Sequence, residues 1–331
     1  MELVLHNRSI LPKDQVLVSL DSIDVAYGYG VYETMKVRKG VVYYPEFHEQ
    51  RLFDSARFLG IRHDFQRGEV IQGIRSLLEA WKTGGSGSEL QALRDRAENC
   101  NLKVLMIGHT GRPADLYCFI LGPLYPDRKE LKKGASALIY PGERHFPQAK
   151  SLSMLMSTIA FRSAQGLGCY DSLLMNRHHQ ITEGTRTNLF FYYDSDDLGK
   201  LKIFTPPLTQ VLNGITRRTI LDCFQAHGIQ IEERPLSLED LFQDQPPAIF
   251  VSSTSTKIMP IKEFHIPWVQ GLPGSANNLG SQAHLDYLDQ IGITEPADVH
   301  VTTSLELPVP KSMRFLQEIY NEYLERWAEK Q

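Results

Sequence analysis

An acidic residue stands at the start of an apolar segment in ITEGTRTNLFF, residues 181–191. Glu183 precedes a glycine and a series of hydroxyl, guanidinium and amide side chains, and the chain then continues into a segment typical of a buried strand. An ionised carboxylate removed from water is costly unless a cation lies beside it. The partner of Glu183 is therefore either a basic side chain, in a structural ion pair, or a ligand nitrogen that the carboxylate keeps protonated.

Three further features could bind an anion. The segment LNGITRR places the backbone N–H groups of Ile215 and Thr216 at the start of a predicted helix, where such groups lack intrahelical partners. SSTST, residues 252–256, ends a predicted strand with five hydroxyl groups, which can donate to phosphate oxygens. Arg51 in HEQRL offers two parallel donors. Each feature alone has an ordinary explanation, as a helix cap, a solvated turn or a surface arginine.

A cofactor with one phosphate and one basic ring nitrogen would use all of these groups together. Pyridoxal phosphate has both, and it also needs a lysine with which it forms a Schiff base. Lys150 is the candidate, because HFPQAKSLSM follows the predicted strand ALIY and precedes a predicted helix, so this lysine could project into a cleft. Taken alone, Lys150 is more typical of a surface lysine at a helix start, and only its order and spacing with the other residues favour the cofactor.

Composition restricts the class of protein. The 331 residues, 42% of them hydrophobic and 22% charged, suffice for two domains with their own cores. A formal charge of −4, from 35 basic and 39 acidic residues, predicts no broad electropositive surface, so we expect no nucleic-acid partner. No stretch approaches about 18 apolar residues, and MELVLHNRSILPKDQ lacks the apolar core of a signal peptide, so we expect no membrane span and a cytoplasmic location. The four cysteines form no CxxC pair, which argues against a disulfide framework and a metal site.

The elements that must position these residues fall into two halves. In the first, strands in MELVLHN and VYETMKVRKGVVYY precede two helices, PEFHEQRLFDSARFLGI and RGEVIQGIRSLLEAW, where apolar residues recur at i, i+3 and i+4. Residues 82–100 have a Gly/Ser-rich opening and a charged tail, typical of an exposed insertion. Two more strands then complete a small α/β domain, residues 1–122.

The second half alternates strands with helices after a predicted linker. Residues 123–134 combine proline, glycine and charge, as linkers between domains do. Residues 135–331 form the predicted C-terminal domain, which would carry Lys150, with helices in SMLMSTIAFRSAQGLG, NGITRRTILDCFQAHG and SMRFLQEIYNEYLERWAEK. Residues 268–310, rich in Gly, Pro, Ser and Asn, predict a loop insertion. The fold class is α/β, or α+β, in two domains.

The chain resembles the class IV aminotransferases, the fold-type IV pyridoxal phosphate enzymes that include branched-chain aminotransferases, D-amino-acid aminotransferases and 4-amino-4-deoxychorismate lyases. The resemblance rests on segments in the family's order: YGYGVYETMKV, HEQRLFDSARFLGI, KSLSMLMSTIAFRSAQGLGCYDSLL, ITEGTRTNLFF, IFTPPLTQVLNGITRRTIL and VSSTSTKIMPI. It implies two domains with the cofactor in the cleft between them, and a homodimer whose partner subunit reaches into the active site. The implied substrates are an amino acid and a 2-oxo acid, both small molecules.

The resemblance also implies a role for individual residues. Lys150 matches the Schiff-base lysine that shuttles a proton, and Glu183 matches the carboxylate that keeps the ring nitrogen protonated, which would make the cofactor the partner of that acid. The phosphate would contact Arg51, Ile215, Thr216 and Thr254. Leu212 would pack on the ring face, and Tyr32 would face the cofactor and substrate.

Substrate selection is less legible. The family's substrate positions match Tyr32, Thr34, Lys36, Arg112 and Ser255. Thr34 and the pair Met154-Leu155 depart from the branched-chain pattern, whereas VYETMKV is closer to the D-amino-acid enzymes. The Arg-x-His pair that those enzymes use for a carboxylate is replaced by IGHTGRPADLY, in which Arg112, with His109 three residues before it, is the candidate.

Three hypotheses follow from the sequence. The first is a transaminase that works in two ping-pong half-reactions through Lys150. The second is a lyase that releases pyruvate and 4-aminobenzoate from 4-amino-4-deoxychorismate and needs no 2-oxo acid. The third is a catalytically idle relative that keeps the fold as a binding protein, and the presence of both Lys150 and Glu183 argues against it.

Overall fold

The computed structural model describes residues 2–18, 22–84, 87–123, 125–195, 198–267 and 301–331. By their contacts, the residues divide into two units. The first comprises Met1–Tyr125, Gln148–Met154 and Arg326–Gln331, and the second comprises Pro126–Pro147 and Leu155–Glu325. The segment that carries Lys150 thus groups with the first unit, although the sequence analysis places it in the C-terminal domain. The domain boundaries at residues 122 and 135 stay a prediction.

The first unit is built on a six-stranded antiparallel sheet in the order β2-β1-β6-β5-β3-β4. Its strands are β1 Leu3–His6, β2 Ser9–Pro12, β3 Gly30–Arg38, β4 Val41–Val42, β5 Cys100–Ile107 and β6 Asp115–Leu121. Alternation along β3 and β5 divides the side chains between two faces. One face belongs to the hydrophobic core. The other, here called the Tyr32 face, carries Tyr32, Thr34 and Lys36 of β3 and Lys103 of β5, which pairs with Thr34.

Helices cover the core face of this sheet: α2 Pro45–Phe58, α3 Glu69–Thr83 and α4 Gly87–Glu98. The short helix α1 Ile23–Ala26, which precedes β3, has no buried residue. Proline at the first position of α2 suits a helix start, because its missing N–H would have no intrahelical partner there. In α3 the buried residues recur at helical spacing, as the sequence predicts: Val70, Ile71, Ile74, Leu77, Leu78 and Trp81.

The second unit is built on a larger sheet that closes on itself. Its strands are β7 Ala135–Pro141, β8 Asp171–Met175, β9 Gln180–Gly184, β10 Asn188–Tyr192, β11 Lys202–Thr205, β12 Gln230–Glu233, β13 Leu236–Ser237, β14 Ala248–Ser253, β15 Lys257–Pro267 and β16 Val301–Glu306. Pairing runs β10-β14-β15-β7-β8-β9, and β9 returns to β10 through Asn188 and Glu183. Among the described residues the helices here are α5 Arg128–Lys133, α6 Leu155–Gly166, α7 Ile215–Ala226 and α8 Lys311–Ala328.

Three segments differ from their predicted form. The predicted insertion at 82–100 contains α4, which packs Leu93 and buries Ala97 in the core, because these apolar residues lie four apart on one helix face. Within the predicted loop at 268–310, residues 268–300 lie outside the described residues, whereas β16 pairs with β15. The predicted linker contains the short helix α5, capped by the Asp127 side chain.

The mixed α/β class predicted from the sequence is confirmed. In the described part of the chain, no helix is long and apolar enough to cross a membrane.

Candidate active site

Lys150 lies on a short extended segment that pairs with the edge of β3. Ser151 forms an antiparallel bridge with Val31, and the Tyr32 N–H donates to the Lys150 carbonyl at 2.9 Å. The Lys150 N–H donates to Ser55 Oγ of α2 at 3.1 Å. The backbone of Lys150 is therefore fixed on both sides, by a strand and by a helix.

Gly30 permits this close pairing. A Cβ atom added there would lie 2.6 Å from Leu152 Cδ1 and 2.8 Å from the Met106 carbonyl oxygen. The Leu152 N–H donates to the Gly30 carbonyl at 2.8 Å. A side chain at position 30 would therefore collide with the backbone of β5 and with Leu152, two residues after Lys150.

Two lysines lie against one aromatic ring on the Tyr32 face. Lys150 Nζ is 4.4 Å from the centroid of the buried Tyr32 ring, and Lys103 Nζ is 3.5 Å from it. Burial lowers the pKa of Lys103, the charge of Lys150 lowers it further, and Tyr32 and Glu33 act in the opposite direction. The ring thus holds the two ammonium groups near each other in a partly buried place.

Arg51 is held by a buried carboxylate on the core face. Its Nε and Nη2 donate to the two oxygens of Glu33, both at 2.7 Å, and His48 Nδ1 lies 2.7 Å from Glu33 Oε2. Burial alone would raise the pKa of Glu33, but Arg51 and His48 together hold it well below its usual range. Burial lowers the pKa of His48, so we take the ring as neutral, with Nδ1–H donating to Glu33.

We expect Arg51→Ala to destabilise the first unit as well as to weaken anion binding. The substitution leaves Glu33 as a buried carboxylate with only His48 beside it, which should lower the free energy of unfolding by about 3–5 kcal/mol. Denaturant unfolding measures this loss. The double variant Glu33→Gln/Arg51→Ala removes both charges, so it should lower the free energy of unfolding by less than Arg51→Ala alone does. Equal losses for the single and the double variant would contradict the pairing.

The same ion pair predicts a pH dependence. Since the folded pKa of Glu33 is lowered, its stabilising contribution is fully present above the unfolded value, about 4.3, and is lost as the pH falls below it. Between pH 5 and 3, the wild type should therefore lose more stability than the double variant does.

In the second unit, Glu183 lies buried at the closure of the sheet. It pairs with Asn188 across the β9–β10 junction, and its Oε2 accepts the Leu212 N–H at 3.2 Å. Arg144 Nε lies 3.1 Å from Glu183 Oε1, and Arg144 Nη2 donates to the Thr185 carbonyl at 3.1 Å. A basic side chain thus stands beside Glu183, as the ion-pair alternative from the sequence required.

The turn that follows Glu183 is fixed by a buried aspartate. Asp171 accepts the hydroxyls of Thr185 at 2.5 Å and of Thr187 at 2.9 Å. Burial raises the pKa of Asp171, and these hydrogen bonds partly offset the rise. A Cβ atom on Gly184 would lie 2.5 Å from Asp171 Oδ2, so only glycine fits beside this carboxylate. The glycine and hydroxyls of ITEGTRT therefore serve the geometry of this turn.

The start of α7 lies beside this turn. Gly214 is the N-cap, so no side chain caps the helix, and Asn188 Nδ2 donates to the Leu212 carbonyl at 2.9 Å. A Cβ atom on Gly214 would collide with Asn188 Oδ1. Ser252 pairs with Asn188 across β10 and β14, and within the described residues its buried Oγ has no hydrogen-bond partner. Uncapped N–H groups and a buried hydroxyl together suit a phosphate.

The sequence matches a family model over most of its length. The match to amino-transferase class IV covers residues 30–264, well over half of the chain. The chain is a class IV aminotransferase. Members of this family depend on pyridoxal phosphate and act on amino acids and 2-oxo acids.

Relatives named as aminotransferases match most of this aminotransferase. The D-alanine aminotransferase of Bacillus licheniformis is 26% identical over 261 residues, 78% of this chain and 87% of the relative. A protein named as a putative branched-chain-amino-acid aminotransferase of Methanocaldococcus jannaschii is 28% identical over 266 residues, 80% of this chain and 88% of the relative.

Solved structures share the fold of the aminotransferase. The branched-chain aminotransferase of Thermoproteus uzoniensis, solved with norvaline, has a TM-score of 0.71 at 19% identity and covers 98% of this chain and 95% of its own. The PLP-bound form of a hypothetical aminotransferase from Mycobacterium tuberculosis has a TM-score of 0.69 at 20% identity and covers 97% of this chain and 98% of its own. The fold-type IV assignment is confirmed at the level of the fold.

The residues predicted for the aminotransferase site fall into one group in each unit. The first unit contains Tyr32, Thr34, Lys36, Arg51, Arg112 and Lys150, and the second contains Glu183, Leu212, Ile215, Thr216, Thr254 and Ser255. The individual roles of these residues stay predictions. In the first group, the Arg112 guanidinium donates to Asp115 Oδ2 at 2.8 Å, and its side chain is 55% exposed.

Four residues of the aminotransferase that contact or pair with members of these two groups, or with a strand partner of one, were not predicted from the sequence. Glu33, in VYETMKV, carries the same signal as Glu183, an acid within an apolar strand. Lys103, in NLKVLMI, is a cation within an apolar strand, but its meaning depends on the register of β5 against β3. Arg144 lies outside any regular element, and Ser252 was noted only as part of SSTST.

The residues of the second group fit pyridoxal phosphate. The buried carboxylate of Glu183 can accept from a protonated ring nitrogen while it remains paired with Arg144. The N-terminus of α7, with no side-chain cap, and the buried Ser252 hydroxyl suit the phosphate. Buried Leu212 offers an apolar surface for a ring.

Proposed function

We propose that this aminotransferase binds pyridoxal phosphate and transfers an amino group between an amino acid and a 2-oxo acid through Lys150. The fixed position of Lys150 carries the proposal: its backbone is tied to Tyr32 and Ser55, and its ammonium group lies 4.4 Å from the Tyr32 ring centroid. A lysine held in this way keeps one orientation, which the reaction requires because the same amine would take a proton from the substrate's α carbon and deliver it to the cofactor.

Pyridoxal phosphate supplies, when bound, an aldehyde that condenses with amines and a ring that withdraws electrons. Lys150 would hold the cofactor before substrate arrives, and its Nζ would then accept the proton that leaves the substrate's α carbon. Tyr32 would restrict the lysine side chain and exclude water on that side, because its ring is buried.

Glu183 would hold a proton at the ring nitrogen. The carboxylate accepts the Leu212 N–H and lies beside Arg144, and these contacts would orient it towards that nitrogen. Leu212 itself would pack on the ring face.

The phosphate would be bound by the N–H groups of Ile215 and Thr216, the hydroxyl of Thr254 and the guanidinium of Arg51. The absence of a side-chain cap on α7 supports the first of these contacts. Two Arg51 nitrogens already donate to Glu33, so Glu33 would serve to orient the guanidinium.

The substrate would contact Tyr32, Thr34, Lys36, Arg112 and Ser255. A homodimer and a cytoplasmic location belong to the same proposal. Exposed apolar side chains in the N-terminal segment support the dimer, because a second copy would cover them: Leu17 is 83% exposed, Ile23 65% and Tyr27 80%.

The visible absorption spectrum of the purified, cofactor-reconstituted protein tests this proposal. We expect a band from the lysine-bound cofactor that disappears on addition of one of D-alanine, L-leucine or L-glutamate and returns with a 2-oxo acid. A band that no amino acid removes would favour the lyase, which release of pyruvate from 4-amino-4-deoxychorismate would establish. No band after reconstitution would leave the idle relative.

A further inference from the structure

Lys103 is a cation on the Tyr32 face that has no role in the proposed function. It lies on β5 opposite Thr34, and its ammonium group is closer to the Tyr32 ring than that of Lys150, at 3.5 Å against 4.4 Å from the centroid. Residues directly opposite on paired strands share a face, so Lys103 lies among Tyr32, Thr34 and Lys36, the positions predicted to contact substrate.

The charge of Lys103 has no anionic partner within the described part of the chain. Its Nζ forms no ion pair or hydrogen bond there, and its contact is with the π face of Tyr32. The Glu33 carboxylate raises the pKa of Lys103, but it belongs to the opposite face of β3 and is already bound by Arg51 and His48. A partly buried ammonium group without a counter-ion is costly, and an anion that binds there would offset that cost.

We propose that Lys103 binds the carboxylate of the amino-acid and 2-oxo-acid substrates. The inference rests on the proposed role of Lys150. A substrate's carboxylate is bonded to the α carbon, from which Lys150 Nζ would take a proton. The carboxylate would therefore lie close to Lys150 Nζ. Lys103 shares the Tyr32 ring with that atom. Arg112, the candidate from the sequence, is exposed and bound to Asp115.

A lysine suits this position because the substrate changes during the cycle. Both half-reactions bring a carboxylate to the same place, but the neighbouring carbon alternates between amine and carbonyl. A compact ammonium group on a flexible stem follows such a change, whereas a guanidinium fork favours one planar arrangement. Burial lowers the pKa of Lys103, and a bound carboxylate would restore it towards its usual value.

Steady-state kinetics with and without the substrate carboxylate provide the first test. The amino acid that removes the visible band is compared with the amine that lacks its carboxylate, for example D-alanine with ethylamine, in wild type, Lys103→Met, Lys103→Arg and Lys132→Met. We expect Lys103→Met to lower kcat/KM for the amino acid by about 10- to 150-fold, the range of a charge-assisted hydrogen bond, and to leave the amine unchanged. Lys103→Arg keeps the positive charge and should retain more of the preference than Lys103→Met does.

Lys132→Met is the control for net charge, since Lys132 is exposed at the end of α5. It should behave as the wild type does with both substrates. If Lys103→Met prefers the amino acid over the amine as strongly as the wild type, the carboxylate is bound elsewhere and the inference is wrong. If Lys103→Met does not fold, Lys103→Gln and Lys103→Arg make the same comparison.

Calorimetric binding of a carboxylate that cannot react, such as butyrate, provides a test that needs no turnover. We expect binding to the wild type and to Lys103→Arg, and a loss of at least about tenfold in affinity for Lys103→Met. Equal affinity in all three would overturn the inference. Because this measurement does not depend on catalysis, it separates a failure at Lys103 from a failure of the proposed function, which would appear as a wild type without a visible band.

Discussion

Replacing Lys150 by alanine should abolish the visible band of the lysine-bound cofactor and lower kcat by at least about 10³-fold. General acid–base catalysis by one side chain is worth about 10²- to 10⁴-fold, and this variant also loses the amine that holds the cofactor. The protein should still fold, because the contacts that fix residue 150 are made by its backbone N–H and carbonyl, to Ser55 and Tyr32. Absorption spectra and single-turnover kinetics measure both effects.

The control is Lys202→Ala, since the side chain of Lys202 pairs with Glu232 on β12. It should keep the band and the turnover. Added ethylamine should restore part of the activity of Lys150→Ala, because a free amine can accept the proton in place of the missing side chain. A variant at position 150 that keeps the band would assign the Schiff-base role to a different lysine, and Lys103 would be the next to test.

Much of the fold follows from local periodicity. The helices α2, α3, α7 and α8 were predicted because their apolar residues repeat at helical spacing and buried strands flank them. The helix α4 was missed because a Gly/Ser-rich opening and many charges conceal an apolar stripe that needs only Leu93 and Ala97. The closure of the larger sheet through β9 and β10 could not be predicted, because such a pairing depends on distant parts of the chain.

The candidate site was predictable where one residue carries its own signal. Glu183 stands out as an acid before an apolar strand, and the start of α7 is visible in Asn-Gly followed by a helical pattern. Lys103 carries no such signal, since it becomes significant only when β5 pairs with β3 and brings it against Tyr32. The pairing of Arg51 with Glu33 was equally hidden, because it joins a helix to a strand 18 residues away in sequence.

The Glu183 carboxylate is positioned by contacts with its surroundings. Its two oxygens face the Leu212 N–H and Arg144 Nε, both of which favour negative charge. Hydrogen bonds from the Thr185 and Thr187 hydroxyls to Asp171 fix the turn after Glu183. Asn188, which pairs with Glu183, donates to the Leu212 carbonyl near the start of α7. The backbone of Glu183 is thus held by its neighbours in the sheet.

Glu183→Gln should therefore keep the shape of the site and lose its charge. A neutral amide cannot hold a proton on the ring nitrogen, so we expect kcat to fall by about 10²- to 10³-fold or more, the usual effect of removing one oriented electrostatic contact. Cofactor affinity should change little, because the phosphate contacts and Lys150 remain. Turnover at saturating cofactor and a cofactor titration measure the two quantities separately.

Two variants show whether the charge of Glu183 is responsible. Glu183→Asp keeps the charge on a shorter side chain and should retain more activity than Glu183→Gln, whereas Glu232→Gln, which removes the surface partner of Lys202, should have no effect. Glu183→Gln also removes the negative charge that pairs with Arg144, whereas the amide oxygen can still accept the Leu212 N–H. Thermal unfolding without cofactor measures that structural cost. Unchanged turnover in Glu183→Gln would mean that the ion pair with Arg144 is the whole role of this acid.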